Sequence, residues 1–86
     1  MLYMNNIPPF SELALSIKPG IYEHFKGGRY QYIKVARNSE DVAQELVVYE
    51  SMETGDWMVR PLKMFVEEVQ REGYKGPRFK YIGPNE

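Results

Sequence analysis

Apolar and polar residues alternate with a period of two along most of this chain, and the alternation breaks at glycines, prolines and short polar clusters. The clearest instance is Pro19-Gly20-Ile21-Tyr22-Glu23-His24-Phe25-Lys26-Gly27-Gly28-Arg29-Tyr30-Gln31-Tyr32-Ile33, two alternating segments joined at a Gly-Gly turn. A three-residue loop at Lys26, Gly27 and Gly28 predicts a hairpin in which Phe25 faces Arg29, Ile21 faces Ile33, Tyr22 faces Tyr32 and His24 faces Tyr30. One side of that ribbon is aliphatic, and the other is aromatic and carries the only histidine.

The second strand continues through Lys34-Val35-Ala36 into the polar cluster Arg37-Asn38-Ser39-Glu40-Asp41, which reads as a turn. Glu45 to Glu50 is a third strand. A four-residue turn, Met52-Glu53-Thr54-Gly55, joins it to a fourth at Asp56-Trp57-Met58-Val59-Arg60 and pairs Val48 with Val59 and Tyr49 with Met58. Pro61 then starts a helical segment with Leu62, Phe65, Val66 and Val69 on one face, as short as a single turn. Glu72-Gly73 and Lys75-Gly76-Pro77 break it, and Arg78 to Ile82 alternates as a last strand with Phe79 and Tyr81 on one face.

Residues 1–18 differ in character. Ile7-Pro8-Pro9-Phe10 is rich in helix breakers, and Ser11 is placed to N-cap a short helix through Leu13, Ala14 and Ile17 that Pro19-Gly20 stops. This predicts a flexible arm and one or two helical turns whose apolar residues lie against the body of the domain. The fold class expected is mainly β: a small, partly open SH3-like β-barrel over residues 19–82, with a helical turn before the last strand, the N-terminal extension 1–18 and a tail 83–86. A four-stranded sheet carrying a full helix from Pro61 to Val69 is the second choice. The aliphatic side of the pattern supplies the expected core, Ile33, Val35, Leu46, Val48, Val59, Leu62 and Phe65, and Trp57 is the ring most expected to be buried.

Size and composition narrow the reading. A chain of 86 residues is one domain near the lower limit for a single core, and with no cysteine it has no disulfide or thiolate to help. Aromatic residues at 14% compensate, because each ring buries a large area. A net charge of -1 removes the basic field on which nucleic-acid binding rests, although a local basic patch remains open. No stretch reaches the length of a membrane span, and Met1-Leu2-Tyr3-Met4-Asn5-Asn6 lacks the charged start of a signal peptide, so the cytoplasm is the expected compartment.

No catalytic signature occurs. His24 as a general base needs an orienting acceptor and a nucleophile within reach, and a single histidine near a hairpin end is more often a structural hydrogen-bonder. Ser39-Glu40-Asp41 is most simply a turn rather than a nucleophile site. No metal is expected, since Glu40, Asp41, Glu67 and Glu68 have neither calcium-loop nor zinc-helix spacing, and no cofactor pattern follows Gly27-Gly28. The stronger candidates are aromatic and cationic. Tyr22, Tyr30, Tyr32, Tyr49 and Trp57 are suited to stack on a base, clasp a peptide or enclose a cation where they are exposed, and some must instead be core. Arg60 and Arg78 each sit beside a proline at an element boundary, and each offers bidentate contact to a phosphate or carboxylate, against the simpler reading of an internal salt bridge with Glu40 or Glu50.

Pro19-Gly20-Ile21-Tyr22, His24-Phe25-Lys26-Gly27, Tyr30, Val35-Ala36-Arg37, Ser39-Glu40, Leu46-Val47-Val48-Tyr49, Trp57, Arg60-Pro61-Leu62, Met64-Phe65 and Pro77-Arg78-Phe79 together resemble the bacterial family catalogued as domain of unknown function 1653. The resemblance runs from Pro19 to about Ile82 and implies an SH3-like barrel, usually a stand-alone bacterial protein, with no established activity to carry over. Two departures stand out: Asn38 occupies a position that is usually histidine, and the segment from Arg71 to Gly76 lacks the usual Asp-Gly turn.

The function these readings favour is non-enzymatic binding of a peptide segment or an anionic small molecule, through Tyr22, His24, Tyr30, Arg60 and Arg78. RNA or ribosome association is the alternative, and a hydrolase using His24 with a carboxylate is the least favoured. No membrane partner is expected, and the sequence fixes neither ligand nor oligomeric state.

Overall fold

A computed structural model describes residues 7–85. Met1 to Asn6, the start of the expected arm, and Glu86 lie outside the described residues. The chain forms α1 (Glu12–Leu15), β1 (Ile21–His24), β2 (Arg29–Asn38), β3 (Asp41–Ser51), β4 (Trp57–Pro61), α2 (Leu62–Phe65), β5 (Glu68–Arg71), β6 (Tyr74–Pro77) and β7 (Phe79–Gly83). Five strands make one antiparallel sheet in the order β4-β3-β2-β1-β7, and β5 and β6 form a separate two-stranded ribbon. The fold is mainly β and the sheet is open, with β4 and β7 as its two edges.

The β3–β4 hairpin has the expected register, with Val48 facing Val59 and Tyr49 facing Met58 across the four-residue turn. The β1–β2 hairpin does not. Its loop is Phe25-Lys26-Gly27, closed by His24 N–H donating to Gly28 C=O at 3.0 Å and Gly27 N–H donating to His24 C=O at 2.8 Å. Tyr22 therefore faces Tyr30 rather than Tyr32, Ile21 faces Gln31 rather than Ile33, and His24 faces Gly28 rather than Tyr30. Gly27 and Gly28 both have positive φ, 107° and 87°, so one glycine serves inside the loop and the other closes it.

A β-bulge decides which face is the core. Tyr32 faces Tyr49, but Lys34 faces Val48, so Ile33 and Lys34 together oppose one residue of β3. The extra residue shifts the parity of β2: Tyr30 and Tyr32 lie on the inner face before it, and Val35 after it. The buried cluster is Ala14, Tyr22, Val35, Val47, Tyr49, Leu62, Phe65 and Phe79, with Phe10, Ile17, Tyr30, Tyr32 and Tyr81 packed against it. The expected Val35, Leu62 and Phe65 are there. Ile33, Leu46 and Val48 are only half-buried on the other face, and Val59 and Trp57 are exposed at 60% and 65%. The physical reason is parity: Val47 and Tyr49 point inward from β3, so Leu46 and Val48, with Val59 facing Val48, point outward, and the bulge puts Ile33 out of step with Val35.

Pro61 does not enter the helix as expected: it ends β4 and is the N-cap of the single turn α2, with an extended ψ of 137°, and Leu62 and Phe65 pack inward from that turn. Val66 is exposed, and Val69 is buried on β5 rather than on a continued helix. Glu72-Gly73 is a two-residue turn with positive φ at both positions, 51° and 82°, which matches the twist of the β5–β6 ribbon. The segment thus has a tight turn after all, with Glu72 where an aspartate was expected. At the other end Ser11 N-caps α1 by accepting from Ala14 N–H at 3.1 Å, as the sequence predicts, and Ala14 seals against the sheet.

Candidate functional site

The inner face is closed at one end by α1, and at the other end polar side chains surround the Phe79 ring. Phe79 stacks on Phe65 at 4.4 Å between centroids and meets Tyr49 edge-on at 5.3 Å, which fixes it in the core. Around it stand His24 at 4.9 Å, Tyr30 at 5.8 Å and the Arg60 guanidinium at 5.4 Å. Three of the five residues singled out in the sequence therefore share one aromatic neighbour. Tyr22 does not join them: it is buried against Phe65 and Tyr81, and its hydroxyl donates to Lys18 C=O at 2.6 Å. Burial pushes that hydroxyl's pKa up, and Tyr22 is a core residue.

Arg60 is held by a single hydrogen bond among the described residues, from its Nε to the Tyr49 hydroxyl at 3.1 Å. No salt bridge to Glu40 or Glu50 forms. Arg78, by contrast, is a strut. Its Nη2 pairs with Glu67 at 2.9 Å in the only ion pair among the described residues, its side chain is 11% exposed, and its Nε is buried without a partner. Its backbone N–H donates to Glu67 C=O and its C=O accepts from Phe25 N–H, so it ties the β5–β6 ribbon to the β1–β2 loop.

His24 Nδ1 accepts from Lys26 N–H at 3.1 Å, which places the proton of the neutral ring on Nε2. Burial of the ring lowers its pKa below 6.5, and the positive charges of Arg60, Arg78, Lys26 and Arg71 lower it further. Five cationic or protonatable groups thus crowd one region, and Glu67 is the carboxylate that pairs with one of them. Among the described residues no carboxylate is ion-paired to His24.

Sequence reasoning missed the second half of this region. Phe25 stacks on Tyr74 at 5.5 Å, with the Arg71 guanidinium and the Lys26 ammonium over the Phe25 ring at 5.6 and 5.8 Å. A cleft of about 320 Å³ opens there, lined by Glu23, His24, Phe25, Gly27, Tyr74 and Lys80. The Glu72-Gly73 pair, recognised as a hairpin turn, would have brought Arg71 and Tyr74 into consideration. A larger cavity of about 410 Å³ beside Ser11, Leu13, Glu45 and Lys63 carries less chemistry, because the Glu45 carboxylate is already engaged by the Ser11 N–H and hydroxyl, both at 2.7 Å. Among the described residues no group of three or more histidine and carboxylate side chains is arranged to hold a metal ion.

With this geometry in place, comparison with known proteins is informative. A family profile described as "Protein of unknown function (DUF1653)" matches residues 20–81. The chain belongs to this family. A crystal structure of a DUF1653 protein from Bordetella bronchiseptica is similar at 30% identity with a TM-score of 0.74, covering 83% of this chain and 94% of that one. No curated protein matches. The DUF1653 span contains every candidate residue from Tyr22 to Arg78, whereas Ser11 and α1 precede it. At the departure noted above, Asn38 donates to Gln44 Oε1 at 2.7 Å and accepts from Glu40 N–H at 2.8 Å, which is a turn-closing role.

Proposed function

We propose that this domain is a non-enzymatic binding module that takes the carboxylate or phosphate of a small molecule or peptide segment at Arg60, His24 and Tyr30. The observation that carries the reading is Arg60: its Nε is tied to Tyr49, its guanidinium lies against Phe79, and its terminal nitrogens have no carboxylate partner among the described residues. A guanidinium fixed in direction presents a planar fork to an anion. His24 Nε2–H supplies a second donor and Tyr30 a third. Arg78 contributes charge and rigidity rather than contact. The reading takes the domain as an SH3-like barrel, which is supported by the β4-β3-β2-β1-β7 order and by the helical turn before the closing strand. The cysteine-free chain fits a reducing cytoplasm.

Linkage gives the test. A bound anion offsets the repulsion that depresses His24, so binding takes up a proton and tightens as pH falls through 6.5 and below. Titration with sulfate, whose charge does not change in this range, followed by the NMR shifts of the His24 ring, is expected to show that trend. Arg60→Met is expected to weaken binding about tenfold or more, the loss of a charge-assisted hydrogen bond. Unmoved His24 signals, or equal affinity in Arg60→Met, would refute the site.

The Phe25–Tyr74 stack beneath Arg71 and Lys26 supports a second reading, single-stranded RNA. It calls for affinity that falls steeply with salt and is lost in Phe25→Ala. Small-anion binding responds instead to Arg60.

A further inference from the structure

Strand β4 ends the sheet, and no strand lies on its outer side. The direction of its backbone groups follows from two hydrogen bonds. Ser51 N–H donates to Asp56 C=O at 2.9 Å, and Met52 N–H donates to Arg29 C=O at 3.0 Å, so odd-numbered residues of β3 address β4 and even-numbered ones address β2. Along the β3–β4 register, Met58 facing Tyr49 and Arg60 facing Val47 turn their N–H and C=O groups toward β3. Trp57 and Val59 turn theirs away from the sheet. The same two residues expose large apolar side chains on the outer face.

Free edges are usually guarded by lysines, prolines or a bulge. The other edge, β7, carries Lys80 and a shifted register beside Ile21. β4 pairs without a shift, carries no lysine, and has its one proline at the last position.

We propose that β4 pairs with itself: two copies of this chain join antiparallel about a two-fold axis at Met58. In that register Trp57 of each copy faces Val59 of the other, so the N–H and C=O groups of both residues are satisfied in four hydrogen bonds. The neighbouring registers fail. Centred on Val59, Trp57 faces Pro61, which has no N–H; centred on Trp57, Val59 faces Gly55, whose N–H already donates to Ser51 C=O at 2.8 Å. On the outer face the Trp57 and Val59 side chains of the two copies pack together, with Val48 beside Val59 continuing the apolar strip. On the inner face Asp56 comes opposite Arg60 of the other copy, so no like charges meet across the seam, while the Arg60 side chain stays directed to Tyr49 and Phe79. The contact is isologous and closed, and the two sheets become one of ten strands.

Sedimentation of the full chain, combined with amide hydrogen exchange, tests this. A dimer is expected, with the Trp57 and Val59 amides slowing as protein concentration rises while Met58 and Arg60 stay protected throughout. Val59→Pro deletes an N–H that makes no bond within one copy, and it removes two of the four bonds between copies. It is expected to weaken dimerisation on the order of 30-fold. Trp57→Lys, at an exposed side chain, gives the same readout if the proline variant does not fold. A chain monomeric up to about 1 mM, a dimer whose Trp57 and Val59 amides exchange freely, or wild-type dimerisation in Trp57→Lys would each overturn the proposal.

Discussion

The two faces of the sheet carry different apolar residues. Inside lie Val35, Val47 and the rings of Tyr22, Tyr49, Phe65 and Phe79, while Leu46, Val48 and Val59 lie outside together with the ring of Trp57. In a larger domain a second layer would cover the aliphatic face. Here the covering elements are small: α1 contributes Ala14 to the inner cluster and α2 contributes Leu62 and Phe65, and rings fill much of the remaining space. The difference teaches that alternation alone identifies two faces but not which one is buried.

The largest test of that comparison is Phe79→Ala. Phe79 touches Phe65, Tyr49, Tyr30 and His24, so its loss opens a cavity at the junction of core and site. A destabilisation of about 3–5 kcal/mol is expected in a urea titration. Val47→Ala follows: Val47 is 0% exposed, and its truncation is expected to remove about 1–3 kcal/mol. Val59→Ala, the same change one strand away on the outer face, is expected to stay within about 0.5 kcal/mol at concentrations where the chain is monomeric. Equal effects at Val47 and Val59 would break the assignment of faces.

Why the sequence left this face choice open is visible at Ile33. Strict alternation from Ile21 to Val35 groups Ile33 with Val35, and the β-bulge opposite Val48 separates them. A bulge of this kind has no glycine to announce it. The β3–β4 register was legible because a four-residue turn fits only one pairing, whereas two adjacent glycines left the β1–β2 loop free to shift by one residue. Ser11 as an N-cap and a single helical turn after Pro61 were legible from local chemistry, although Pro61 itself ends β4. At the site, His24, Tyr30 and Arg60 were named and do converge on Phe79. Phe79 itself was not chosen, because its neighbours are gathered from β1, β2, β3, β4 and α2, and the Phe25–Tyr74 stack was not, because Tyr74 comes from the separate β5–β6 ribbon.

Tyr22 sharpens the comparison from inside. Its ring belongs to the core and its hydroxyl to a hydrogen bond with Lys18 C=O. Tyr22→Phe keeps the ring and leaves that carbonyl to water, so a loss of about 1 kcal/mol is expected, with sulfate binding unchanged. Weakened binding with unaltered stability would move Tyr22 back to the site.

The smallest effect concerns the end of the inner face that α1 closes. Glu45 accepts from both the backbone N–H and the hydroxyl of Ser11, and these bonds hold its pKa below 4.5, with the charge of Arg37 assisting. A carboxylate depressed by folding contributes stability that is present above its unfolded pKa and lost as pH falls through the lower folded value. Above pH 4.5 the latch is intact, and protonation releases Ser11 only as pH falls through the lower folded pKa. Amide exchange at Ala14 and Leu15, whose N–H groups bond to Ser11 Oγ and Ser11 C=O, is therefore expected to accelerate below that pH, while Val47 stays protected. Glu45→Gln is expected to remove the pH step and leave Val47 unaffected. If Ala14 and Val47 lose protection together, α1 is part of the cooperative core, and the closed end of the inner face is no weaker than its centre.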